Sequence, residues 1–198
     1  RPRLTPPGES ATALSGAVHS LSVGATDLFV VARRRPGLVL AVGALLIRLA
    51  WVAWVSRDVP SVLGDQYSYW YYARSIAEGG GYISYATGEA TAYYPIGWPA
   101  LLGAVYFVAD HSMISLSDAV VTGVLQSVLG ALSVWLLFVI ARKVFDTPTA
   151  IVGAALLAVF PSAVYSAATY SIETPFIASA LAVLAIIVTT DWNAGPST

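Results

Sequence analysis

Two apolar runs, Gly37 to Val55 and Ala119 to Ala141, decide what this chain can be. A helix needs about 20 mostly apolar residues to cross a bilayer, and each run supplies that length. Backbone inside hydrocarbon must satisfy its own hydrogen bonds, so such runs fold as transmembrane helices. The rest of the sequence agrees, with 57% hydrophobic residues, 11% charged residues and a mean hydropathy of +0.72. Soluble domains carry roughly 25% charged residues. The sequence therefore predicts an all-α membrane protein: a polytopic transmembrane helix bundle with a large first extracytoplasmic loop containing interfacial helices.

Three regions follow. Residues 1–36 read as a disordered cytoplasmic arm with a basic flank, since the first 23 hold no sustained apolar period. Asp27 to Arg35 suits a short interfacial helix ending in Arg33-Arg34-Arg35. Residues 37–190 form the spanning module, with an outer loop at 56–95, and 191–198 are a polar tail. A start at Arg1 rather than Met and an end in that tail suggest the N-terminal part of a longer protein. Within the module, Ala150 to Tyr170 is a further span kinked at Pro161. Pro175 to Thr190 is a shorter apolar helix. Ile96 to Ala109 is apolar but short, and is interrupted by Gly97 and Pro99.

The arginine cluster places the start of the first span in the cytoplasm, and Arg142-Lys143 place the end of the second there too. An even number of crossings must separate the two clusters. Ile96–Ala109 is then a re-entrant or interfacial segment, and Asp65 and Glu173 emerge on the same outer side.

Composition also excludes chemistry. A net charge of −1 gives no reason to expect nucleic acid as a partner. The absence of cysteine removes thiol catalysis and cysteine-bound zinc. His19 and His111, the two histidines, stand far apart, which argues against a histidine-rich metal site.

The polar and aromatic residues crowd into one stretch, Val62 to Pro99. Its helical part begins near Asp65 and stops at Gly79-Gly80-Gly81. Asp65, Tyr69 and Tyr72 share one helix face; Trp70, Ala73 and Ala77 lie beside it, and Arg74 stands four residues before Glu78, as for an ion pair. Asp65 reads equally as an N-cap and as a general base whose pKa partial desolvation would raise. The tyrosines read as an interfacial aromatic belt or as ligand-binding rings. Tyr93-Tyr94-Pro95 is extended and suits a groove for a ligand headgroup, or a turn back into the membrane. Glu173 follows an apolar helix with no nearby basic residue, and reads as a cap for the helix from Thr174 or as a second functional carboxylate. Arg48 inside the first span reads as a snorkelling or paired charge, or as a contact to an anionic ligand. Gln126 reads as an interhelical hydrogen bond.

Order and spacing carry a resemblance. Arg48 in the first span is followed by Gly64-Asp65-x-Tyr67, then Ile76-Ala77-x-Gly79-x-Gly81-Tyr82, then Thr91-Ala92-Tyr93-Tyr94-Pro95-x-Gly97-Trp98-Pro99-Ala100-Leu101. Leu125-Gln126 through Gly130, Ala141-Arg142-Lys143-Val144-Phe145, Phe160-Pro161 and Ser171-Ile172-Glu173-Thr174 continue the pattern. Residues from about 37 to 185 thus resemble bacterial glycosyltransferase family 39-like membrane proteins of the GT-C superfamily. That superfamily includes the protein O-mannosyltransferases and the aminoarabinose transferase of lipid A. The resemblance implies a multi-pass plasma-membrane enzyme that moves a sugar from a polyprenyl-phosphate donor to a protein, lipid or glycan acceptor on the extracytoplasmic side. It implies Asp65 as base and Glu173 as the second acidic position. Arg48, Tyr69, Tyr72, Arg74, Tyr93 and Tyr94 become candidate substrate-binding residues, and a divalent cation is left open as a cofactor. The chain departs from the mannosyltransferases in carrying Asp65-Gln66 where they have paired acids. It has Tyr94-Pro95-Ile96 where the aminoarabinose transferase has Lys-Pro-Pro, so donor and acceptor do not carry over.

Two other classes fit the composition. A transporter or flippase would line a pathway with Arg48, Gln126 and Glu173, but would favour midplane polar sites and internal repeats. A catalytically silent lipid-binding scaffold would keep the fold without needing Asp65.

Overall fold

The computed structural model describes residues 35–55, 64–113 and 116–190. The N-terminal arm, the Asp27–Arg34 part of the expected interfacial helix, the first residues of the outer loop and the polar tail lie outside the described residues. Helix α1 spans Pro36–Val55, α2 Asp65–Ala77, α3 Gly97–Asp110 and α4 Asp118–Val144. Helix α5 spans Thr147–Val159 and α6 Pro161–Tyr165, which runs into a 3-10 turn at Ser166–Ala168; α7 spans Glu173–Thr189. The only strand-like pairing among the described residues is an isolated antiparallel bridge, Ile83 to Ala90, between α2 and α3. Helices α1 and α4 are each long and apolar enough to cross a membrane. The α5–α6 pair makes a third crossing if its 52° bend is one broken span. The protein is an all-α membrane protein.

Helix α4 is the hub, packing against α1, α5 and α7. In lipid no hydrophobic force drives helices together, so contact depends on small residues that let backbones approach. Gly37 of α1 lies under the Phe138 ring, Gly123 of α4 under Val52, and Gly130 of α4 under the Arg48 side chain. Alanines do the same on the next seam, where Ala150, Ala154 and Ala158 of α5 meet Ala44, Val134, Phe138 and Ala141.

Those contacts also fix direction. Position 37 meets 138, 48 meets 130 and 52 meets 123, so α1 and α4 run antiparallel. Arg35 therefore lies at the same end of the bundle as Arg142 and Lys143, the basic end. Val55 and Asp118 lie at the other, the loop end, and everything between them begins and ends there. Helix α3, with 14 residues, is about 21 Å long, short of the roughly 30 Å hydrocarbon core. It lies beside α2 and makes no separate crossing between α1 and α4.

The α2–α3 seam depends on one glycine. A Cβ on Gly103 would stand 2.7 Å from the Ala73 carbonyl oxygen and 3.1 Å from Ile76 Cβ. The first is backbone and has no rotamer to escape into. Gly103→Ala is expected to lower thermal stability in micelles by about 1–3 kcal/mol, as overpacking does. An unchanged melting midpoint would mean the seam opens without cost.

The bend at Pro161 has a partner in α1. Proline has no N–H and cannot cover the carbonyl four residues back. The Arg48 guanidinium covers the gap: Nη2 donates to the Leu157 carbonyl at 3.2 Å, and Nη1 to the Ala158 carbonyl at 3.0 Å and the Ala44 carbonyl at 3.1 Å. Arg48 is 1% exposed, so it does not snorkel. No carboxylate pairs with it among the described residues; the anticipated charged partner is replaced by backbone oxygens.

Candidate active site

At the loop end, Gly64 adopts φ 61° and serves as the N-cap of α2 without a side-chain bond. Asp65 is thus the first residue inside the helix and not its cap, which corrects the capping alternative. Its carboxylate is exposed and accepts a hydrogen bond of 2.6 Å from the Tyr94 hydroxyl. That bond is the main reason the Tyr94 pKa rises above the usual phenol value.

Glu173 repeats the arrangement. Ile172 is the N-cap of α7, again without a side-chain bond, and Glu173 is the first helical residue and exposed. Here too the capping alternative gives way. Burial raises the pKa of the Tyr69 hydroxyl, and the charges of Asp65 and Glu173 raise it further. Neither acid takes part in an ion pair among the described residues.

What brings Glu173 there is the segment before it. The Gln126 Nε2 donates to the carbonyls of Thr169 at 3.2 Å and Ser171 at 2.8 Å. The Trp98 indole donates to the Tyr170 carbonyl at 2.9 Å, and Gln66 Oε1 accepts from the Tyr170 amide at 3.3 Å. Gln126 therefore bonds the connecting segment rather than a facing helix. Helices α2, α3 and α4 each contribute one polar side chain to holding the approach to Glu173.

The aromatic residues form a cluster over α2. Tyr94 packs on Tyr69 with ring centroids 5.3 Å apart and lies 6.1 Å from Tyr72, so the predicted Asp65–Tyr69–Tyr72 face has one lid. Tyr69 and Tyr72 are buried, 7% and 3% exposed, against their neighbours rather than spread as a belt. Tyr93 is 82% exposed and meets Tyr94 edge-on at 5.0 Å. Behind them a short hairpin returns through the bonds Ser84 N–H to Glu89 O and Thr91 N–H to Tyr82 O. Its Tyr82 ring sits 4.5 Å from that of Tyr72, and its hydroxyl donates to the Tyr94 carbonyl at 2.9 Å. Burial, then the neighbouring phenols, push the Tyr82 hydroxyl up to about 12. The reading of the sequence missed Tyr82, Tyr85, Gln66 and Trp98. The Thr87-Gly88 pair flanked by Tyr82 to Tyr85 and Ala90 to Tyr94 is a hairpin signal that would have found the first two.

Arg74 stands apart from this cluster. Its guanidinium donates to Asp110 at 2.6 Å and, through Nε at 2.7 Å and through Nη2, to both oxygens of Asp118. Trp70 Nε1 donates to the same Asp118 at 2.7 Å, and the Arg74 guanidinium lies 4.7 Å from the Tyr106 ring centre. The hydrogen bond that Arg74 donates to Asp118 heads the causes that hold the Arg74 pKa above its usual value. The expected pair with Glu78 does not form; Arg74 ties α2 to α3 and α4 instead. Arg74→Met is expected to cost about 1–3 kcal/mol, a broken ion-pair network discounted for its partial exposure. Proteolysis between α2 and α3 would report the release, and an uncut loop in the variant would refute it.

Arg48 and Glu173 both line a cavity of about 310 Å³ bounded by α1, α4, the broken span and α7. Arg48 Nε is buried without a partner. Among the described residues no three His, Asp or Glu side chains are grouped so as to hold a metal ion.

Residues 99–191 match the family model described as dolichyl-phosphate-mannose-protein mannosyltransferase. No curated protein and no solved structure gives a significant match. The matched range runs through α3, α4, the broken span and α7, so it includes Glu173 and stops short of Asp65. Over residues 99–191, a little under half of its length, this chain with its membrane-spanning helices is similar to the GT-C membrane glycosyltransferases.

Proposed function

We propose that this protein moves a sugar from a polyprenyl-phosphate donor to an acceptor hydroxyl at the loop end of the bundle, with Asp65 as general base. The observation that carries this reading is the exposed Asp65 carboxylate at the start of α2, held at 2.6 Å by the Tyr94 hydroxyl beside the tyrosine cluster, with a second exposed acid, Glu173, at the start of α7. The basic end, with Arg35, Arg142 and Lys143, faces the cytoplasm by the usual charge bias. The loop end then lies outside the plasma membrane.

In the step, the acceptor oxygen attacks the anomeric carbon and its proton passes to the Asp65 carboxylate. The bond from that carbon to the phosphate oxygen breaks, and the lipid phosphate leaves with the electron pair. Attack opposite the leaving group inverts the anomeric centre. Tyr94 holds the carboxylate in place through its hydroxyl. Glu173 stands where it meets the sugar or the acceptor from the α7 side. Tyr69, Tyr72 and Tyr93 supply apolar ring surface around the reacting groups. Arg48 borders the cavity that Glu173 also lines, while Arg74 acts as a brace and not as a phosphate ligand.

The test is transfer from a panel of radiolabelled polyprenyl-phosphate sugars into membranes containing the protein, wild type beside Asp65→Asn. Label that disappears in the variant at equal protein level is the expected result. Undiminished transfer by the variant would remove Asp65 as base and turn attention to Glu173. No transfer from any donor would overturn the reading itself.

A further inference from the structure

The hairpin between Tyr82 and Thr91, the Tyr93–Tyr94 pair and Tyr72 of α2 enclose a pocket of about 460 Å³. Four of its walls are phenol rings, from Tyr72, Tyr85, Tyr93 and Tyr94, and the hydroxyls of Ser84, Thr87 and Thr91 lie among them. Tyr93 and Tyr94 meet at 81° and make a corner of two ring faces. Tyr93 is 82% exposed and Tyr85 50% exposed, so ring surface on both is open to a ligand. One wall ends at the candidate base, because the Tyr94 hydroxyl donates to Asp65.

These walls select a ligand by chemistry. A sugar ring has an apolar face of C–H bonds and a rim of hydroxyls. The first stacks on phenol rings, and the second meets Ser, Thr and Tyr hydroxyls that both donate and accept. Among the described residues no Lys or Arg lines the pocket, and Arg74, which stands apart from it, is held by Asp110 and Asp118. The described lining offers a phosphate no cation. The lining hydroxyls make it a poor slot for a lipid tail.

We propose that this pocket is the acceptor subsite and that it takes a neutral saccharide, presenting a ring hydroxyl to Asp65. The inference rests on Asp65 being the base, and it names the acceptor class that the preceding reading leaves open. The donor's phosphate then lies outside the tyrosine pocket, and the two substrates meet at the carboxylate.

The experiment is saturation-transfer NMR on the full chain in detergent micelles, with methyl α-mannoside and methyl β-galactoside as probes. Signal is expected on the ring C–H protons of at least one probe, and it should persist when polyprenyl phosphate is added to saturation. Tyr93→Ala is expected to weaken binding about tenfold, the loss of one stacked ring, and Tyr93→Phe to keep it. Helical circular dichroism checks the fold, and Tyr85→Ala repeats the test from the other wall if Tyr93→Ala fails to fold. Absence of signal from both probes, equal signal in the alanine variants, or displacement by polyprenyl phosphate would overturn the subsite. In the transfer assay, Asp65→Asn inactive beside Tyr93→Ala with unchanged acceptor KM would sink the subsite and leave the reaction standing. An active Asp65→Asn would sink the reaction first.

Discussion

Asp65→Asn is expected to lower the rate of the proposed sugar transfer by about 10²- to 10⁴-fold, the usual contribution of a positioned general base. Asparagine keeps the shape and can still accept from the Tyr94 hydroxyl, so the helix start and the aromatic lid should stay in place. What it loses is the capacity to take a proton. The fall should therefore appear in kcat, with acceptor KM little changed, because the interaction removed is made in the transition state. Tyr94→Phe separates positioning from proton transfer. It removes the 2.6 Å bond to Asp65 while leaving the carboxylate, and a fall of about tenfold is expected, since small misplacement of a reacting group is costly. A Tyr94→Phe variant as inactive as Asp65→Asn would assign the essential proton to the phenol instead.

The second large effect lies in the membrane. Arg48→Leu is expected to lower stability by about 3 kcal/mol. Hydrogen bonds to a charged donor contribute roughly 1.5–3 kcal/mol each, offset in part by what burying the guanidinium costs. The variant removes the Arg48 donor from the Ala158 carbonyl and leaves the Leu157 carbonyl, which Pro161 cannot reach with an N–H, only the 3.4 Å bond from the Phe160 amide. Inside hydrocarbon there is no water to replace it. Pro161→Ala restores an N–H at that point, so the double variant should recover about 1 kcal/mol relative to Arg48→Leu alone. Denaturant melts in micelles measure both. If the two changes simply add, Arg48 is not the brace of the broken span, and a role towards an anionic ligand returns.

The spans and the bend were legible because their causes are local. The nineteen residues of Gly37–Val55, apolar but for Arg48, have few other fates, and Pro161 deletes a donor wherever it stands in a helix. Gly79 and Gly81 end α2 with positive φ, as three adjacent glycines suggest. The common face of Asp65, Tyr69 and Tyr72 follows from helical period alone. The partners across the fold were not legible. Spacing favoured Glu78 for Arg74, but an exposed pair four residues apart is weak. Asp110 and Asp118, brought in by α3 and α4, hold the same guanidinium from two sides. For Arg48 a carboxylate was the obvious counterpart, whereas the need was created 113 positions later by the break at Pro161. Asp65 missed its cap by one residue because Gly64 turns the chain first.

The length of α4 sets a height. Its 27 residues extend about 40 Å, against a hydrocarbon layer of roughly 30 Å. About one helical turn therefore projects at each end. At the loop end that turn carries Asp118, which grips Arg74 and Trp70 and so fixes α2 at the level of the lipid headgroups. A carboxylate carried on α2 works at the depth where lipid phosphates already sit. In the proposed reaction a lipid-borne donor would reach it by sliding sideways in two dimensions, without leaving the bilayer, and a saccharide acceptor would arrive through water.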